Sequence, residues 1–217
     1  GHLRPLRLPG GDAAVREPWR AALSAVADAC GEEKALSMFA GMSGAETLLR
    51  LSRRGAFSPV STGMGRLFDV FAVIAGIETC VSYEGQDAAA LEQAFCGVTA
   101  GRYAIDAVKG ADGLTEFDWR GAVREAVADR ERGEGPDAIS ARFHRAVSEL
   151  VREETQKYRG EPVVLSGGVF QNVRLLESCV SLLEKDGRDV FGNTLVPSND
   201  GGICYGQAAA AAALLKE

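Results

Sequence analysis

The sequence predicts an α/β fold, with a mainly helical subdomain over residues 1–100 and an α/β lobe over residues 101–217. Three observations lead there. Apolar residues in the first hundred positions recur at helical spacing, most clearly Leu67, Phe68, Phe71, Ile74 and Ala75. Val163, Val164 and Leu165 form a short apolar run that enters Ser166, Gly167 and Gly168 and then a helical segment. The tail repeats that order, with a strand near 189–191, a loop containing Gly-Gly and an alanine-rich helix. Strands followed by helices imply a parallel or mixed sheet covered by helices.

Element by element, residues 1–12 are extended and rich in Pro and Gly, and Asp12 stands where it could cap a first helix. Residues 13–54 read as helices broken at Gly31 and at the GMSG turn (41–44), with Trp19, Leu23, Val26, Phe39 and Leu49 among the apolar positions. A loop over 55–65 leads to the amphipathic helix, and another helix spans 87–100. Residues 103–108 and 114–117 flank a Gly-Ala-Asp-Gly turn and predict a β-hairpin. Helices follow over 119–132 and, past a Gly-Glu-Gly-Pro break, over 137–158, where Ile139, Phe143, Val147 and Leu150 share a face. A helix over 170–185 stops at Asp186-Gly187, and QAAAAAALL (207–215) reads as a packed terminal helix. No internal repeat is visible.

Composition narrows the function. With 217 residues, 46% hydrophobic and 25% charged, the chain is long and apolar enough to bury a core, which excludes a disordered tail. The formal net charge of -6 gives no support for a nucleic-acid partner. No apolar run reaches the roughly 18 residues that span a bilayer, so no membrane partner is expected. Cys30, Cys80, Cys96, Cys179 and Cys204 form no C-x-x-C pair, and an odd count in apolar or helical settings predicts reduced, buried thiols in a cytoplasmic protein. The N-terminus lacks the order of a signal peptide and, starting at Gly1, reads as a cut end. His144, between Arg142 and Arg145, reads as a surface residue, and QKYR (156–159) and DRERGE (129–134) as solvated mixed-charge segments. With His2 the only other histidine, neither a hydrolytic triad nor an H-x-x-x-H pair can be assembled, and no Walker sequence occurs.

Three stretches could carry chemistry. In VVLSGGVFQN (163–172), a strand enters two glycines and the first turn of a helix. Such a turn lets backbone approach a ligand and aims N–H groups at phosphate, although Gly-Gly can equally serve packing alone. Gln171 and Asn172 add amides for a base or sugar. In VPSNDGG (196–202), Asp200 could ligate a cation, but a helix cap is the commoner role for a carboxylate there. In STGMGRLFD (61–69) with SYEGQ (82–86), Asp69 and Glu84 offer carboxylates suited to vicinal sugar hydroxyls, against the alternative of a solvated helix face.

Together with the opening HLRPLRLPGGDAAVREPWR (2–20), these stretches resemble, over nearly the whole chain, the C-terminal part of the HypF family, the carbamoyltransferases that mature nickel–iron hydrogenases. The resemblance implies an actin/sugar-kinase-like (ASKHA) lobe, in the branch shared with tRNA threonylcarbamoyl transferases and O-carbamoyltransferases. In that family, carbamoyl phosphate and ATP yield carbamoyl-adenylate in another domain. The domain seen here then passes the carbamoyl group to the C-terminal cysteine of a hydrogenase maturation partner, which dehydrates the product to the nitrile that becomes a cyanide ligand. By the same resemblance, Gly167, Gly168 and Asn172 hold the phosphate and adenosine side of the nucleotide, the ATP/AMP moiety of carbamoyl-adenylate. Asp69, Glu84 and Gly85 hold the ribose, Gly65 opens their helix, and Asp200 is a ligand of one divalent metal ion. No catalytic side chain is implied.

The family's other metal ligands are two histidines upstream of any position here, so the domain is expected to be incomplete and the chain a fragment, inactive alone and prone to self-association. Two alternatives stay open. One keeps the fold and changes the acceptor to tRNA or a sugar hydroxyl. The other is a non-catalytic docking module whose glycine turns only pack.

Overall fold

The computed structural model describes residues 1–77, 80–95, 97, 101–110 and 113–215, and the chain divides into two units, 1–146 and 147–217. In the first, β1 (His2–Leu3) and β2 (Leu6–Arg7) precede α1 (Asp12–Arg16), α2 (Trp19–Cys30), α3 (Glu32–Met38) and α4 (Ala45–Arg53). Then come β3 (Val60–Ser61), α5 (Met64–Ile74) and α6 (Gln86–Gln93). A hairpin of β4 (Asp106–Lys109) and β5 (Thr115–Asp118) leads to α7 (Arg120–Glu131) and α8 (Pro136–Thr155), whose last turns belong to the second unit. The part of the expected hairpin turn at 111–112, and residues 98–100 of the expected helix, lie outside the described residues.

The division falls at 146/147 and not at 100/101. The reason is strand pairing and helix packing across that expected boundary. β5 pairs parallel with β1, Leu3 opposite Phe117, and antiparallel with β4. Trp119 donates its indole N–H to the Arg4 carbonyl at 2.7 Å, and α7 packs on α2 and α5. The hairpin and α7 therefore belong with the N-terminal helices. Asp12 begins α1 without capping it, because the preceding position is Gly11 at φ 58.

Helix α5 is the centre of the first unit. All of its residues from Leu67 to Ile74 are buried, and a helix apolar on nearly every side must be surrounded. Helices α2, α6 and α7 pack on it. Phe71 stacks on Phe143 at 3.8 Å between ring centroids, while Phe68 meets the same ring edge-on at 4.8 Å. Aromatic pairs of this kind add about 0.5–1.5 kcal/mol beyond area burial.

Two expectations about polar residues are overturned here. His144 is fully buried: its ring lies edge-on to Phe68, and its Nδ1 is 2.8 Å from the Ser140 carbonyl oxygen. It shares the inner face of α8 with Ser140, one turn earlier, whereas Arg145 points to solvent. Asp129, read as solvated, is also buried. It accepts from Tyr103 Oη at 2.7 Å and pairs with Arg132 and Arg142. Burial pushes the Asp129 carboxyl up, but these bonds outweigh it and hold the group below the usual range.

The second unit is a small α/β lobe. β6 (Val163–Leu165) and β7 (Val190–Gly192) are parallel, joined by α9 (Val173–Lys185) as the crossover. α9 buries Leu175, Cys179 and Leu183, spaced four apart on one stripe, and packs on β7. A bidentate pair fixes the helix end: Arg152 Nε and Nη2 each lie 2.7 Å from the Asp186 carboxylate. Arg188 donates to the carbonyls of Thr155, Tyr158 and Glu161.

The terminal helix α10 (Ile203–Leu214) is exposed along its length, contrary to the packed helix expected. Its alanines carry helix propensity on every face, so the apolar composition by itself marks out no buried stripe. The thiols also differ from expectation. Only Cys179 is buried; Cys30 is partly covered, Cys80 and Cys204 are exposed, and Cys96 lies outside the described residues. No helix among the described residues is long and apolar enough to cross a membrane.

Candidate functional site

The carboxylate cluster is built by the start of α5. Gly63 has extended backbone and donates its N–H to Ser61 Oγ at 3.1 Å, which turns the chain into the helix. Gly65 sits in the first turn with open space where a side chain would project. One turn later Asp69 is 4% exposed. Arg66 Nη1 lies 3.1 Å from Asp69 Oδ2, and Arg66 Nη2 lies 3.5 Å from Glu84 Oε1. The acids, 15 positions apart in sequence, are thus joined through one guanidinium. Gly85 adopts φ 85 at the N-cap of α6, a left-handed conformation that favours glycine. The Ser82 backbone N–H and hydroxyl both donate to Gln86 Oε1, fixing the turn that presents Glu84.

Burial pushes the Asp69 carboxyl up to about 6; Arg66 opposes the rise and Glu84 adds to it. Its carboxylate is therefore basic for an aspartate and short of water.

The glycine loops are built in the second unit. β6 ends at Leu165, and Gly167 follows at φ 105 with no atom near the position of a Cβ. Its N–H donates to the Ser198 carbonyl at 3.0 Å, and a Cβ on Gly168 would sit 3.9 Å from Asn199 Cβ. The two loops, 163–172 and 196–202, therefore abut. Gly202 cannot carry a side chain, because a Cβ there would be 2.5 Å from the Pro197 carbonyl oxygen. Asn172 caps α9, its Oδ1 accepting from Leu175 N at 2.8 Å, so that oxygen is committed to the helix. Gln171 is exposed.

The cap beside Asp200 belongs to its neighbour: Asn199 Oδ1 accepts from Gly201 N at 3.0 Å. Asp200 is exposed, and no group of three His, Cys, Asp or Glu that could hold a metal ion occurs among the described residues. One exposed carboxylate does not fit a divalent ion, which needs several oxygen or nitrogen ligands in defined geometry. Sequence reasoning placed the carboxylates and glycines but overlooked Arg66 and Asn199. The i, i+3 spacing of Arg66 to Asp69 was the available sign for the first. The Asn-Asp-Gly-Gly order was the sign for the second.

The chain thus carries a βαβ lobe with glycine-rich strand-to-helix turns and a helical unit with paired carboxylates. Residues 1–207 match the family model described as "Carbamoyltransferase, Kae1-like Domain, second subdomain". The chain belongs to the HypF carbamoyltransferase family. It is 31% identical to the carbamoyltransferase HypF of Synechocystis sp., over 95% of this chain and 29% of that protein. To HypF of Rhizobium leguminosarum bv. viciae it is 34% identical, over 96% of this chain and 27% of that protein. All of it superposes on 29% of full-length HypF in the phosphate- and nucleotide-bound form, with a TM-score of 0.87 at 30% identity. T. kodakarensis HypF shares the fold, with a TM-score of 0.80 at 23% identity. The chain thus spans less than a third of these relatives.

Proposed function

We propose that this chain is the nucleotide-holding part of a carbamoyltransferase that passes the carbamoyl group of carbamoyl-adenylate to a cysteine of a hydrogenase maturation protein in the cytoplasm. In that step the cysteine sulfur bonds to the carbamoyl carbon, the bond from that carbon to the AMP phosphate oxygen breaks, and the thiol proton is released. AMP leaves, and the acceptor becomes a thiocarboxamide that its own protein dehydrates to a nitrile. The observation that carries the reading is the pair of abutting glycine loops, whose Gly167 backbone opens to free space in a lobe like that of a HypF captured with phosphate and nucleotide.

In this reading, the turn anchors phosphate by the Gly168 backbone N–H, that of Gly167 being spent on the Ser198 carbonyl; Asn172 holds the turn rigid through its cap, and Asp69 and Glu84 accept from the ribose hydroxyls. Asp200 is one ligand of a divalent ion whose other ligands would have to come from outside these residues. The chain alone is then expected to bind metal weakly and to transfer little carbamoyl group. The acidic balance, net charge -6, speaks against tRNA as the acceptor.

The test is titration of AMP against the chain by calorimetry. Saturable binding that Asp69→Ala weakens by about tenfold or more supports the site, the scale of one charge-assisted bond. Absence of saturable binding, or binding indifferent to Asp69→Ala, favours the docking module. Robust carbamoyl transfer by the isolated chain would overturn the expectation of an incomplete metal site.

A further inference from the structure

Arg66 stands inside the STGMGRLFD stretch (61–69) but is given no role there by the sequence, yet it is the group through which the two carboxylates of the first unit meet. Its side chain is 16% exposed, its Nη1 lies 3.1 Å from Asp69 Oδ2, and its Nη2 lies 3.5 Å from Glu84 Oε1. Asp69 is held by a buried helix and Glu84 by the Gly85 turn, so the two acids come from separate elements with no direct bond between them. Two carboxylates near one another repel, and a guanidinium ion-paired with the buried Asp69 at 3.1 Å and reaching the exposed Glu84 at 3.5 Å offsets that repulsion. We propose that Arg66 is a positioning residue: it clamps Asp69 and Glu84 so that both stay ionised and face one ligand bearing two vicinal hydroxyls, the ribose of a nucleotide.

This rests on the nucleotide reading above. The charged groups acting on Asp69 are Arg66, from its own helix, and Glu84, from the turn before α6. Without Arg66, burial and Glu84 act unopposed, and the Asp69 proton is held more tightly. Loss of the clamp should then appear as a displaced pH profile, which a purely structural role would not produce.

Two measurements decide it. Carbon-13 NMR of the Asp69 carboxyl gives its titration midpoint in wild type, Arg66→Gln and Arg66→Lys without any ligand. AMP titrations across the same pH range give the binding midpoint. The clamp predicts that Arg66→Gln moves both midpoints to higher pH by about one unit, which weakens AMP binding about tenfold near pH 5, below both midpoints, and about twofold at neutral pH. Arg66→Lys, which keeps the charge, should recover most of the midpoint and show that the chain still folds. Unchanged midpoints in a folded Arg66→Gln chain overturn the proposal while leaving the nucleotide site standing. No AMP binding by wild type at any pH overturns the nucleotide reading and the clamp's ribose role with it.

Discussion

Asp69 is buried, yet in the proposed nucleotide reading it must be ionised to accept a hydrogen bond from a ribose hydroxyl, and that conflict has a thermodynamic signature. Its folded pKa, about 6, lies above the ordinary 3.8, so the folded chain holds this proton more tightly than the unfolded chain does. The stability contributed is complete below about pH 4 and is lost as pH rises through about 6. At neutral pH the ionised group therefore costs on the order of 2–3 kcal/mol. Asp69→Asn removes that cost. Thermal melts should show the variant more stable than wild type near pH 8 and no more stable near pH 4, with AMP binding reduced. A variant less stable than wild type near pH 8 would mean that Arg66 compensates the buried charge in full. These residues were only partly legible in the sequence. Asp69, Gly85 and Gly167 stand in short local patterns whose chemistry can be read in place. Arg66 and Glu84 meet across 18 positions, and Tyr103 and Asp129 across 26, so no window of spacing could pair them.

At the scale of elements, the apolar periods located the helices well because a buried stripe must repeat every third or fourth residue. α5 and α9 are the clearest cases, one surrounded and one amphipathic. Alanine-rich α10 is where composition misled. Its 12 residues are exposed throughout, and an isolated helix of that length is marginal even when rich in alanine. Hydrogen exchange should therefore find the amides of α10 exchanging at least a thousandfold faster than those of α5, a difference of about 4 kcal/mol in opening free energy. Equal protection in dilute solution would show that the helix is covered, and by something other than the rest of its own unit.

For the whole molecule, the two units are unequal in core. The second buries only Val147, Leu150, Val163, Leu165, Leu175, Cys179 and Leu183 among its large apolar side chains, while Val164, Phe191, Leu195, Tyr205 and Leu214 stay exposed. A unit of roughly seventy residues rarely gains more than about 3–5 kcal/mol from a single core. Exposed apolar surface on this scale favours association. Sedimentation velocity should reveal concentration-dependent association that Phe191→Lys with Leu214→Lys reduces; a chain that stays monomeric at high concentration would refute this.

The sequence by itself determined the α/β class, the order of helices and strands, the glycine turns and the family, because helical period, turn chemistry and short motifs are local properties of the chain. Tertiary structure decided that the hairpin and α7 belong with the N-terminal helices, that His144 and Asp129 are buried, that α10 is bare and that Arg66 joins two acids. Each of these depends on which remote residues surround a side chain. Burial, desolvation and ion pairing are set by neighbours in space, and only the folded chain supplies them.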